Sequence, residues 1–432
     1  MQLHMTYGDG GLDVELPDST DVIAPLDAPV IVDVPAALRE ALASPMSSAP
    51  LAELVTVDDH VAIVCSDITR PVPNHVLAPE ILRVVEGQGV PRDRITLIVG
   101  SGLHREMTPD ELERTFGAAI VRDYRIVTHD ARDRDGVTFL QRYPGEPRGG
   151  VYLNTHYMRA SVKIVTGFVE PHLFAGYSGG GKGVFPGVAA AHNIMRNHGV
   201  ANLMHEGATY GVAQGNPLFE EMRALALASG VTFLCNVTAN ADKSITGIYC
   251  GELVAAHEAA MAQVREHALR SVPAEYDIVV CTNGGYPADL NLYQAVKAMV
   301  AAERAVRQGG AIVLASECRE GVGGQEYIDL LALADSPEGL MELMLQPDFH
   351  MIDQWQAQEQ IMVQRKADVH VYSSLDAATV RASQLIPCED VGATVAELAA
   401  RVEREQGRTA TILAMPFGFQ AIPVVEEGVA VS

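Results

Sequence analysis

Cysteine is scarce: Cys65, Cys235, Cys250, Cys281, Cys318 and Cys388 are the only six in 432 residues, and no two stand at C-x-x-C spacing. That excludes a disulfide framework and a cysteine-based zinc site. Several lie inside apolar runs such as VAIVC and DIVVC, as reduced core thiols of a cytoplasmic protein do. No apolar run reaches the roughly 20 residues that span a bilayer. The opening MQLHMTYGDGG lacks the basic-then-apolar order of a secretory signal. The expectation is a cytoplasmic protein with no membrane partner. Basic residues are in deficit, 31 against 55 acidic, for a net charge of −24. Such a surface repels phosphate backbones, which argues against a nucleic-acid partner. An acidic substrate would need a locally basic site. No repeat of fixed period and no low-complexity tract occurs.

Short β-branched runs are present, and each leads into a polar or glycine-rich loop and then a helical pattern. VAIVC (61–65) precedes SDITRP, RITLIVG (94–100) precedes SGLHRE, and YRIV (124–127) precedes THD. VKIVTGF (162–168) precedes VEPHLFAGYSGGGKG, DIVVC (277–281) precedes TNGGYP, and AIVLAS (311–316) precedes ECREGVGG. VHVYSS (369–374) and ATILAM (410–415) complete the series. Continuous apolar strands alternating with helices indicate an α/β protein with mostly parallel sheets flanked by helices. The length suggests roughly two or three domains. We expect an N-terminal domain over 1–272 and a C-terminal domain over 273–407, with the tail at 408–432 free to pack on either. GELVAAHEAAMAQVREHALRSV reads as one long helix before that boundary.

Asp67, Arg70, His104, His129, His172 and Lys182 all follow strands, where open parallel sheets bind ligands. The loop AGYSGGGKGVFPG (175–187) carries three consecutive glycines before Lys182. Such loops approach anions closely, with Ser178, Gly179 and Gly180 as candidate cofactor contacts. It is not a Walker A loop, because Gly183 follows the lysine. A helix is expected after it, with Pro186 near its start and Gly199 past its end. His198 falls at that helix's C-terminus. His104, His172 and His198 surround Lys182 in sequence order, with His192 and His205 as weaker candidates. A lone histidine is more often structural, but neutral imidazole also serves as base or metal ligand. Asp67 and Arg70 read either as a local ion pair or as a carboxylate fork. DLNLYQAVKAMVAAERAVRQGG reads as a helix capped by Asp289 and ended by Gly309. Tyr293, Gln294 and Lys297 share a face near its start. The sole tryptophan, Trp355, is more often a packing residue than a substrate wall.

Taken in order, SDITRP, GLHRxMT, EPHxxAGYSGGGKxxxPG, NH and LYQxxK resemble the nickel-dependent lactate racemase family, over about residues 60 to 300. The resemblance implies two α/β domains with the active site in the inter-domain cleft. It implies nickel and a pyridinium-3,5-bisthiocarboxylic acid mononucleotide as cofactors. Lys182 matches the lysine that carries the cofactor in the type member, and His198 the histidine that completes nickel coordination. His104 and His172 match the proton-transfer pair. Arg70, Gln294 and Lys297 match groups around the substrate carboxylate, with Asp67, Tyr293 and Trp355 in support. The implied activity is a racemase or epimerase inverting C2 of a 2-hydroxy acid by hydride transfer through a 2-keto acid. Enzymes that build the cofactor are the implied protein partners. Malate or a sugar acid is the alternative substrate. A zinc hydrolase using His104, His172 and His198, or a phosphate-binding protein using the glycine loop alone, are the more distant readings.

Overall fold

The computed structural model describes residues 1–70, 72–143, 149–346 and 349–426. Pro71 of the SDITRP motif and the last six residues of the tail lie outside the described residues. The chain forms two compact units. One contains Asp27–His198 and His205–Arg265; the other contains Met1–Leu26, Gly199–Met204 and the chain from Glu266 onward.

The first unit is built on a sheet ordered Ile245–Gly251, Phe233–Ala239, Val162–Phe168, Val61–Ser66, Ile95–Gly100 and Arg125–Thr128. The pair between Ile245–Gly251 and Phe233–Ala239 is antiparallel, and every other pair is parallel. Alternate residues on a strand face opposite sides. Ile63, Cys65, Leu97, Val99, Ile164 and Cys235 therefore join one core with Leu38, Leu42, Leu77 and Ile81 of the helices Val34–Ala43 and Asn74–Gly87. Both faces of each central strand are buried, and the strands read as unbroken apolar runs for that reason.

The second unit's sheet runs Ile386–Pro387, Ala367–Tyr372, Val306–Ala315, Tyr276–Thr282, Ile412–Met415 and Asp21–Val22, parallel throughout. Ile278, Val280, Val313 and Ile412 face Val391, Val395 and Leu398 of the helix Val391–Gln406. On Cys281, one residue along, the thiol donates instead to the Ala298 carbonyl of the helix Leu292–Glu303. The expected strands are present, each within a few residues of its sequence boundaries.

The division differs from a single break at residue 272. Asp21–Val22 pairs with Ile412–Met415, which draws the first residues into the C-terminal unit. The tail closes that same unit, since Ile422–Val425 pairs with Leu269–Val272. That pairing also ends the long helix at Ala268, where the sequence suggested continuation. The helix expected from 289 to 310 is shorter, Leu292–Glu303. Its cap is Asn291, whose side chain accepts from the Gln294 N–H. Asp289 instead accepts from the backbone of Gly8 and Glu317, and Gly309 lies inside a strand. Among the described residues no helix is long and apolar enough to cross a membrane.

Candidate active site

In the first unit, the candidate residues gather on loops leaving the carboxyl ends of three parallel strands. Val61–Ser66 delivers Asp67 and Arg70, Ile95–Gly100 delivers His104, and Val162–Phe168 delivers Glu170 and His172. Asp67 is buried, and its Oδ2 lies 2.7 Å from Nδ1 of His104. Its Oδ1 accepts from the Thr69 N–H at 3.0 Å and the Thr69 hydroxyl at 2.6 Å. Burial alone would raise this carboxyl, but the His104 charge and these hydrogen bonds outweigh it and hold the group at about 2. A carboxylate only accepts, so the His104 proton sits on Nδ1 and the lone pair is on Nε2. The His104 side chain is 46 % exposed, so the ring reaches solvent or a ligand.

Arg70 does not pair with the Asp67 carboxylate. Its Nη1 lies 3.1 Å from Oε1 of Glu170, a residue to which sequence reasoning assigned no role. Glu170 had a signal, its place in the EPH motif.

His172 sits in a tight hairpin, Pro171–His172 against Gly176–Tyr177. The Ala175 N–H donates to its Nδ1 at 3.3 Å, which leaves Nε2 as the protonated nitrogen. His172 and His198 each meet the ring of Phe174 edge-on, at centroid separations of 4.7 and 4.9 Å. Phe174 thus joins two histidines 26 positions apart, a link the sequence did not signal. His198 is the C-terminal cap of the helix Ala191–Asn197, as expected, although that helix starts five residues after Pro186. Burial, and then the neighbouring Lys182 charge, hold the His198 imidazole well below the ordinary histidine range. It is therefore neutral near pH 7, the form that ligates metals.

The glycine loop is packed against protein. A Cβ on Gly180 would meet the His257 ring at 2.1 Å, and one on Gly179 would meet Val169 at 2.7 Å. Gly180 donates its N–H to Asn236 and has none left for an anion. The Ser178 hydroxyl donates to the Phe168 carbonyl and accepts from the Glu170 N–H. These three residues fix the loop, and Lys182 projects from the 3-10 turn Gly180–Gly183 that they support. His129 is structural: it is buried between the Ala189 carbonyl and the Asn154 amide.

In the second unit, Tyr293, Gln294 and Lys297 lie on the first turns of Leu292–Glu303. Trp355, 62 residues on, donates its Nε1–H to the Tyr293 hydroxyl at 3.2 Å. That hydroxyl donates to Asp353 at 3.1 Å, and the Tyr327 ring packs edge-on against Tyr293. The Gln356 amide caps the Tyr293 carbonyl. Asp353 holds a left-handed backbone, φ 64°, at the start of the helix Gln354–Gln364. The Lys297 ammonium lies 5.5 Å from the centre of the Phe419 ring.

Among the described residues no group of three or more His, Cys, Asp or Glu could hold a metal ion. The three histidines of the zinc-hydrolase reading are therefore not a ligand set. The donors fit a different arrangement: one buried neutral imidazole, His198, beside a lysine and an aromatic wall. That suits a metal that arrives with its other ligands already attached and takes a single imidazole from the chain.

Residues 7–211 match the family model for the lactate racemase N-terminal domain, and residues 271–423 match that for the lactate racemase C-terminal domain. A lactate racemase of Lactiplantibacillus plantarum is 37 % identical over 324 residues, which is 74 % of this chain and 75 % of that one. A lactate racemase of Thermoanaerobacterium thermosaccharolyticum is 31 % identical over 360 residues, covering 82 % and 83 %. The structure of a lactate racemase apoprotein from Thermoanaerobacterium thermosaccharolyticum superposes with a TM-score of 0.89 at 28 % identity, covering 99 % of this chain and all of that one. A Thermotoga maritima protein, at 17 % identity and a TM-score of 0.68 over 94 % of this chain, shares the fold.

Proposed function

The chain belongs to the lactate racemase family, and from that membership we propose that it interconverts the enantiomers of lactate or a closely related 2-hydroxy acid. The observation that carries the reading is the Asp67–His104 pair, which fixes a basic nitrogen, Nε2, on an exposed ring. Simple removal of the proton on C2 is difficult, because the adjacent carboxylate already carries negative charge. Loss of hydride from C2 avoids a carbanion and gives a flat 2-keto acid. The nickel-pincer nucleotide, when bound, supplies the hydride acceptor. Lys182 and His198 are the residues we assign to hold it, with Lys182 as the site of any covalent attachment.

The chain's own part is proton transfer and orientation. His104 takes the hydroxyl proton at Nε2 while Asp67 steadies the imidazolium that results. His172 presents Nε2–H to the substrate oxygen from its own position, and it gives that proton up only from the imidazolium form, in which Nδ1 is protonated as well. The two rings thus present opposite hydrogen-bonding states at the same nitrogen. For the other enantiomer the exchange reverses, and His172 must give up its contact with Ala175. Arg70 holds the substrate carboxylate from the same unit. All six cysteines are buried and free, which supports a cytoplasmic location.

The test is to prepare the protein in a host that makes the cofactor and supply L-lactate deuterated at C2. D-lactate should form more slowly than from unlabelled substrate, with deuterium retained at C2. Failure to racemise any member of a panel of 2-hydroxy acids would overturn the assignment. Rapid loss of deuterium to water would overturn the hydride route alone.

A further inference from the structure

Glu170 and Arg70 form an ion pair that links two of these loops, and the family resemblance gives Glu170 no function. Both side chains are about one-fifth exposed, at 19 and 21 %. Glu170 is fixed before it meets Arg70. Its N–H donates to the Ser178 hydroxyl at 3.0 Å, and its carbonyl accepts from the Ser178 N–H at 2.9 Å. The carboxylate then takes Nη1 of Arg70 and no other guanidinium nitrogen. Among the described residues Nη2 and Nε of Arg70 have no hydrogen bond. A guanidinium has five N–H donors in a rigid plane, so one edge is held and another is presented. A single substrate carboxylate fits the presented edge as a bidentate pair.

We propose that Glu170 determines the charge class of the substrate: it aims Arg70 at one carboxylate and repels a second. The inference rests on the 2-hydroxy-acid reading above and adds to it. A four-carbon 2-hydroxy dicarboxylate carries its second carboxylate near enough to seek the other edge of the same guanidinium. Glu170 already fills that edge, and Asp67 adds a second negative charge at the base of the same loop. Like charges brought together in a partly buried site repel one another with little screening by water. The substrate favoured is a 2-hydroxy monocarboxylate, and malate-like acids are disfavoured.

The test compares the holoenzyme with Glu170→Gln and Glu170→Asp, measuring kcat and KM for lactate and malate. Glu170→Gln keeps the shape and one acceptor but removes the charge. The malate-to-lactate ratio of kcat/KM should rise by about tenfold or more, corresponding to 1.4 kcal/mol. The change should fall mainly in KM, with lactate KM increased several-fold and kcat little altered. Glu170→Asp keeps the charge and should keep the preference for lactate. An unchanged ratio in Glu170→Gln, or equal losses on both acids in both variants, would overturn the proposal. Calorimetric titration of both acids separates this from the reaction itself. Binding that discriminates by charge without racemisation would retain Glu170's role and remove the racemase reading.

Discussion

Nδ1 of His104 lies 2.7 Å from the Asp67 carboxylate, across 37 positions of sequence and two neighbouring parallel strands. The carboxylate is already held by Thr69, so it is the ring that is oriented. Replacing the acceptor should therefore damage proton transfer more than binding. In Asp67→Asn the tautomer is no longer enforced, and kcat should fall about 10²- to 10⁴-fold with KM little changed. Steady-state kinetics of the cofactor-loaded enzyme decide this. A large KM effect at normal kcat would place Asp67 with the binding groups instead.

Trp355 is the only tryptophan, so its fluorescence reports one place in the molecule. It is 7 % exposed, and its indole N–H ends on Tyr293. Tyr293→Phe removes the hydroxyl that accepts from the indole and donates to Asp353, and should cost about 1–3 kcal/mol. Urea unfolding should shift to lower midpoint, and the native emission of Trp355 should change while far-ultraviolet dichroism stays the same. Identical emission and stability would show that the bond contributes nothing.

Glu359 lies in the helix Gln354–Gln364 and is 4 % exposed. Among the described residues its Oε1 has no hydrogen-bond partner. Burial, reinforced by the charge of Glu303, holds this carboxyl well above the usual carboxylate range. In the folded protein it stays neutral, while in the unfolded chain it ionises above its ordinary value of 4.5. Its contribution to stability is present below that value and is lost as pH rises, by up to about 1.4 kcal/mol per pH unit. Glu359→Gln removes the dependence. Unfolding midpoints of the two proteins should agree near pH 5 and diverge in favour of the variant near pH 8. Parallel midpoints across that range would refute a neutral Glu359.

The strands and their flanking helices were legible because two buried faces demand continuous apolar residues. The loop positions of Asp67, His104, His172 and Lys182 were legible for the related reason that they follow such strands. What was not legible is pairing across the fold. Glu170 was visible as a letter in a motif, but only the turn made by Ser178 brings its carboxylate to Arg70. Nothing in the sequence signals that the Phe174 ring touches both His172 and His198. The three glycines read as an anion cradle, whereas Val169 and Asn236 crowd Gly179, His257 crowds Gly180, and Met222 and Arg223 crowd Gly181. Asp289 read as the helix cap, but it is claimed by the Gly8 N–H, and Asn291 caps the helix instead.

Among the described residues, the strand Asp21–Val22 is separated from its partner by more of the chain than any other. It leaves the ribosome long before Ile412–Met415, on which it docks, is made. The six strands of the other sheet all lie between residues 61 and 251 and are complete well before that. The inner unit can therefore mature on the nascent chain while the first residues remain extended and unclaimed. A product truncated before residue 412 would lack Ile412–Met415, leave Asp21–Val22 without its partner strand, and expose the flank of Tyr276–Thr282 to other chains.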